Sequence, residues 1–119
     1  MTRLERDVAV EIRAYLLRLG LHVFRSHVGT RTAHTRPGSA GLPDFYGILP
    51  DGRWWAIEVK APGARPRKNE TAQNEVLSML FENGAVVVVA SSVAEVATIF
   101  SSDFIRDCRV SRLASRALA

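Results

Sequence analysis

An aspartate, a glutamate and a lysine, Asp44, Glu58 and Lys60, belong to two apolar runs separated by a turn signal. Pro43 precedes the aspartate, Glu58-Val59-Lys60 closes the run WWAIEVK, and Ala61-Pro62-Gly63 stops it at once. Side chains alternate along a β-strand, so Glu58 and Lys60 share one face, and Ile57 and Val59 take the other. Pro50-Asp51-Gly52 predicts a hairpin. Its pairing would set Asp44, at the start of the first strand, beside Glu58 in the second. Two carboxylates held together this way repel unless a cation sits between them. An all-oxygen ligand set of that kind suits Mg²⁺ or Mn²⁺. A Lys60 ammonium at the edge could orient a water or stabilise negative charge. That is the chemistry of metal-assisted phosphodiester hydrolysis. The structural alternative has Asp44 capping a turn after Pro43, with Glu58 and Lys60 on a solvated strand face. The strongly apolar strand that carries them favours the chemical reading.

The elements around this hairpin must hold it in place. Residues 3 to 19 predict a helix, with Leu4, Val8, Ile12, Tyr15, Leu16 and Leu19 on one arc and Gly20 ending it. At about 100° per residue, Glu5 projects inside that arc, between the directions of Ile12 and Leu16. A carboxylate aimed at a core is costly without compensation. Two readings account for it: a capping box with Thr2, or a ligand of the metal suggested by the hairpin. The rest of the chain favours the ligand. The segment LHVFRS predicts a short strand. After the hairpin, Asn69 can cap a second helix running to Asn83, with Gly84 stopping it and Val76, Leu77, Leu80 and Phe81 on its apolar arc. Gln73 points into that arc, where it bonds to backbone or reaches the site. The run AVVVVAS predicts a strand buried on both faces. SVAEVATIF predicts a short helix after a serine cap, and residues 104 to 119 a last helix with an imperfect stripe of Arg106, Arg109, Arg112 and Arg116.

Charge is unevenly placed. No acidic residue occurs from Arg13 to Pro43, whereas Arg13, Arg18, Arg25, Arg31 and Arg36 recur there, together with His22, His27 and His34. The polar stretch of roughly residues 26 to 42 is long for a loop in a small domain, a mark of function or disorder. A second basic loop carries Arg65, Arg67 and Lys68. Basic loops beside a carboxylate cluster are what a reader of a phosphate backbone needs. The three histidines lack the spacing of a zinc site.

The 119 residues suffice for one domain with a real core. A hydrophobic fraction of 47% and a charged fraction of 24% are ordinary for a globular chain. The net charge of +4 and pI near 10.0 make a polyanion the first partner to consider. The alternative source of the arginine excess is a genome rich in G and C. Cys108 is the single cysteine, which excludes a disulfide framework and a cysteine zinc site. No apolar run approaches a membrane span and no signal peptide is evident, so a cytoplasmic location is expected.

Glu5, Arg25, the segments GLPDFYGIL and DGRWWAIEVKAPG, Gln73 and the run GAVVVVASS together resemble the VRR-NUC family of the PD-(D/E)xK nuclease superfamily. The likeness spans roughly residues 4 to 100, and the joint motif is specific even though each piece is not. It implies an α/β fold with a restriction-endonuclease-like core, a central mixed sheet flanked by helices, over residues 1–103. Residues 104–119 would follow as a basic helix or tail. It implies Mg²⁺ or Mn²⁺ held by Glu5, Asp44, Glu58 and the Val59 carbonyl, with Asp44, Glu58, Lys60 and Gln73 as the catalytic set. The segment between Lys60 and Gln73 is slightly longer here and more charged than the family pattern. The expected activity is a divalent-metal-dependent DNA endonuclease acting on branched DNA such as Holliday junctions or flaps. Arg25, Arg31, Arg36, Arg65, Arg67 and Lys68 would contact the nucleic acid. The competing classes are a non-catalytic nucleic-acid-binding subunit with the same fold and an RNA-directed nuclease. A homodimer, formed through apolar faces around Trp54 or the C-terminal segment, would enlarge the footprint on a branched substrate. No organic cofactor is expected.

Overall fold

Two apolar runs joined by a tight turn, followed by a helix and a third apolar run, define the centre of the protein. A computed structural model describes residues 2–26, 41–64 and 70–118, with the side chains of 70–73 and 112–118 excepted. The elements run in the order α1 (Arg3–Arg18), β1 (Phe24–Arg25), β2 (Phe45–Ile48), β3 (Trp54–Val59), α2 (Glu70–Glu82), β4 (Val86–Ala90), α3 (Val93–Ile99) and α4 (Ser102–Leu118). The four strands form one mixed sheet in sequence order, antiparallel from β1 to β3 and parallel between β3 and β4. A parallel pair needs a crossover, and α2 supplies it. The chain is thus a small α/β domain.

The hairpin forms where the turn residues predict it. Gly52 takes a positive φ of 95°, Leu49 and Arg53 close the loop with a 2.7 Å hydrogen bond, and the Asp51 carboxylate accepts the Arg53 N–H at 3.1 Å. An L side chain is disfavoured at that φ, which is why glycine stands there.

One face of the sheet is the core. Phe45, Leu49, Trp55, Ile57, Val59, Val88 and Ala90 bury against Ile12 and Leu16 of α1, Val96 of α3 and Ile105 and Cys108 of α4. The Tyr15 hydroxyl donates to the Phe100 carbonyl at 2.7 Å, tying α1 to the end of α3. Gly47 leaves no room for a side chain without a shift: a Cβ there would lie 2.7 Å from the Trp55 ring and 2.6 Å from the His22 carbonyl. The opposite face carries Tyr46, Ile48, Trp54, Ala56, Glu58, Val87 and Val89 by strand alternation. Helix α2 covers part of it, since its Leu80, with Ala85 just beyond the helix, lines a groove with Tyr46, Trp54 and Ala56.

Several expectations need correction. Leu4 and Phe81 lie in the predicted apolar arcs but are exposed, because each sits at the margin of its arc beyond the reach of the neighbouring element. Strand β4 is not buried on both faces: Val89 is 51% exposed, since β4 is an edge strand and α2 covers only part of that face. The predicted strand over residues 21–26 reduces to two residues. The last helix starts at Ser102, not at 104, and Ile105 and Cys108 make its first turns part of the core. The basic stripe on it is partly consumed within the fold. Arg106 pairs with Asp103 and Asp107, and Arg109 donates to the Leu19 carbonyl at 3.3 Å, closing the C-terminal end of α1. The side chains of Arg112 and Arg116 lie outside the described residues.

Candidate active site

The register of the hairpin builds the site. Phe45 pairs with Ile57, which sets Asp44, one residue before β2, level with Glu58. Asp44 is itself anchored at both ends. Its carbonyl accepts the Ser26 N–H at 3.1 Å, and its Oδ2 accepts the Val59 N–H at 2.7 Å. The aspartate carboxylate therefore bridges to the backbone of the residue between Glu58 and Lys60. Beyond β3 the ladder continues for one more bond, from the Lys60 N–H to the Ala90 carbonyl at 2.9 Å. That bond holds Lys60 on a rigid frame, with Nζ 3.9 Å from Glu58 Oε1.

Glu58 is 4% exposed. Burial pushes its carboxyl up to about 8, the adjacent Asp44 charge adds to the rise, and Lys60 opposes it. A glutamate raised that far carries its charge at a cost. A divalent cation would offset both the burial and the repulsion, and oxygen donors of this type suit Mg²⁺ or Mn²⁺. The pair therefore fits such an ion by its chemistry. Among the described residues no group of three or more His, Cys, Asp or Glu side chains gathers into a metal site. The structure brings Asp44, Glu58, Val59 and Lys60 together.

Glu5 forms the capping box. Its N–H donates to Thr2 Oγ1 at 3.1 Å, and the Thr2 N–H donates to Glu5 Oε2 at 3.4 Å. The same side chain is 3% exposed, whereas a capping box closes equally well in solvent. The cap thus explains where Glu5 sits on the helix but not why it is buried.

The remaining predicted residues fall differently. Gln73 belongs to the first turns of α2, and its side chain lies outside the described residues. Arg31, Arg36, Arg65, Arg67, Lys68, His27, His34 and the Asn69 cap also lie outside them. Arg25 is exposed on β1, its guanidinium 6.0 Å from the centre of the Phe45 ring. Sequence reasoning missed a second feature of the hairpin. Arg53 binds Asp51 at 2.9 Å, reaches Cys108 Sγ at 3.7 Å and lies over the Phe104 ring at 5.7 Å, fastening the turn to α4. Burial of Asp51 works against its charge, but hydrogen bonds from the Arg53 backbone and side chain prevail and lower its pKa. Only the Asp-Gly turn was a local signal of this arrangement.

No protein-family model matches the chain, and neither a curated protein nor a solved structure does. Among the described residues no helix is long and apolar enough to cross a membrane.

Proposed function

We propose that the protein is a divalent-metal-dependent phosphodiester hydrolase of the PD-(D/E)xK type, with a restriction-endonuclease-like core and DNA as substrate. The observation that carries this reading is the Asp44–Glu58 pair on adjacent strand ends, one member deeply buried, with the Lys60 ammonium 3.9 Å from Glu58. A binding module has no use for a buried carboxylate held next to another. Asp44, Glu58 and the Val59 carbonyl would hold Mg²⁺ or Mn²⁺, with Glu5 as a further ligand. Bound there, the ion would supply charge stabilisation for the phosphoryl oxygens and lower the pKa of a water.

The chain's own groups take the other parts. Asp44 is oriented by the Val59 N–H, which donates to its Oδ2. Lys60 Nζ would orient the attacking water and balance charge building on the phosphate. Hydrolysis forms one P–O bond from water and breaks the P–O3′ bond, leaving a 5′-phosphate and a 3′-hydroxyl. The net charge of +4 supports a polyanionic substrate. The resemblance to VRR-NUC proteins makes branched DNA the first substrate to try, with a homodimer as a way to span it. A cleavage panel of single-stranded, duplex, flap and four-way-junction DNA, with an RNA counterpart, in Mg²⁺, Mn²⁺ or EDTA tests the proposal. Metal-dependent cleavage abolished by Glu58→Ala is expected; wild-type rates from Glu58→Ala would overturn it.

A further inference from the structure

On the sheet face that carries Glu58, three aromatic rings stand in a row across three strands. Phe24 of β1 stacks on Tyr46 of β2 with centroids 5.7 Å apart and planes 25° from parallel. Tyr46 stacks on Trp54 of β3 at 6.2 Å and 17°. Cross-strand packing of this kind supports a short edge strand, but it does not account for the outer members, since Phe24 and Trp54 are each 53% exposed. Trp54, with Leu80 and Ala85, also lines two adjoining grooves. One, of about 330 Å³, holds Tyr46, Leu42 and Pro43; the other, of about 510 Å³, holds Arg53, Asn83 and Gly84. Tyr46 lies two residues from Asp44 on the same side of β2, roughly 7 Å along the strand.

The geometry points to this row as a stacking platform for unpaired bases of a single-stranded nucleic acid whose backbone passes the Asp44–Glu58 pair. This rests on the proposed action on phosphodiesters, and it adds that the substrate is unpaired beside the cut. Charge supports that occupant: a chain of net charge +4 draws a polyanion, and flat exposed rings offer bases of any sequence a π-face. A second copy of the chain is the weaker occupant. A stable interface takes some 20–30 residues a side, and the row has three rings beside a two-residue edge strand.

The two tryptophans make the test direct, because Trp55 is fully buried and Trp54 is not. The full chain is titrated in EDTA with a ten-nucleotide oligo-dT, the matching oligo-rU, and an abasic backbone of equal length and charge. Quenching of the solvent-exposed emission is expected with a base-bearing strand, together with binding on the order of ten-fold tighter than the abasic strand. Trp54→Ala should lose that preference and Trp54→Phe, which keeps a ring, should retain most of it. Equal binding of base-bearing and abasic strands, or a preference undiminished in Trp54→Ala, overturns the platform. So does a dimer by sedimentation that Trp54→Ala converts to monomer, which would assign the face to a second copy. Because no cleavage is measured, a failure of the hydrolase reading leaves these outcomes separately legible.

Discussion

The carboxylate of Asp44 accepts a 2.7 Å hydrogen bond from the backbone N–H of Val59, the residue between Glu58 and Lys60. One side chain therefore fixes the spacing of the whole constellation: where Val59 goes, Glu58 and Lys60 follow. Charge and hydrogen bonding at Asp44 can be separated by substitution. Asp44→Asn retains an acceptor for Val59 and removes the charge; Asp44→Ala removes both. Cleavage should fall at least ~10²-fold in either, as for loss of an essential electrostatic group. Thermal stability should fall only in Asp44→Ala, where a buried N–H loses its partner at a cost of about 1–3 kcal/mol. Equal melting temperatures for the two variants would remove this bond from the account.

Glu58 makes the metal-free protein sensitive to pH. Its carboxyl titrates near 4.5 when unfolded and at about 8 in the fold. Between those values the folded state keeps a proton that the unfolded state has lost. Stability therefore falls as pH rises through this window, by at most about 1.4 kcal/mol per unit. Glu58→Gln carries no such proton. In EDTA, the stability of Glu58→Gln relative to wild type should rise from pH 5 to pH 8. Urea melts at intermediate pH values measure it, and a constant difference would show that Glu58 is not perturbed. Mg²⁺ at pH 8 should restore wild type and leave Glu58→Gln little changed.

Glu5 separates cap from ligand. Gln closes a capping box as Glu does, so Glu5→Gln should melt within a degree or two of wild type. As a ligand, its loss should lower activity and raise the Mg²⁺ requirement. Unaltered cleavage at low Mg²⁺ would leave the capping box as its whole role.

If the protein acts on DNA as proposed, affinity should be separable from chemistry at Arg65 and Arg67. Each phosphate contact contributes a slope of about −0.9 to log affinity against log salt on duplex DNA. Replacing Arg65 and Arg67 with Ala should make the slope shallower by roughly one to two units. Turnover at saturating DNA should change much less. An unchanged slope would remove Arg65 and Arg67 from the proposed phosphate contacts.

Gly47→Ala should destabilise the protein without touching the site. The added Cβ would meet the Trp55 ring and the His22 carbonyl at under 3 Å. Overpacking of this order costs about 1–3 kcal/mol. A denaturant midpoint equal to wild type would mean that the sheet yields there.

Features set by neighbours along the chain were legible in the sequence. The Thr2–Glu5 capping box, the Gly52 turn, the Ser92 cap and the Gly84 stop all depend on contacts within five residues, and all form. The hairpin register is of the same kind, because a tight turn dictates which residues pair, and it sets Asp44 level with Glu58. Burial is different. Periodicity names an arc but not how much of it a neighbour will cover, so Leu4, Phe81 and Val89 turned out exposed. The Arg109 bond to Leu19 and the Arg53 contact with Cys108 join residues 90 and 55 positions apart, beyond any local pattern. The depth of Glu58 likewise follows from the sheet and helices closing around β3. Types and spacing named a pair of carboxylates and a lysine; only the packed fold put one of those carboxylates out of water, where holding a charge is costly.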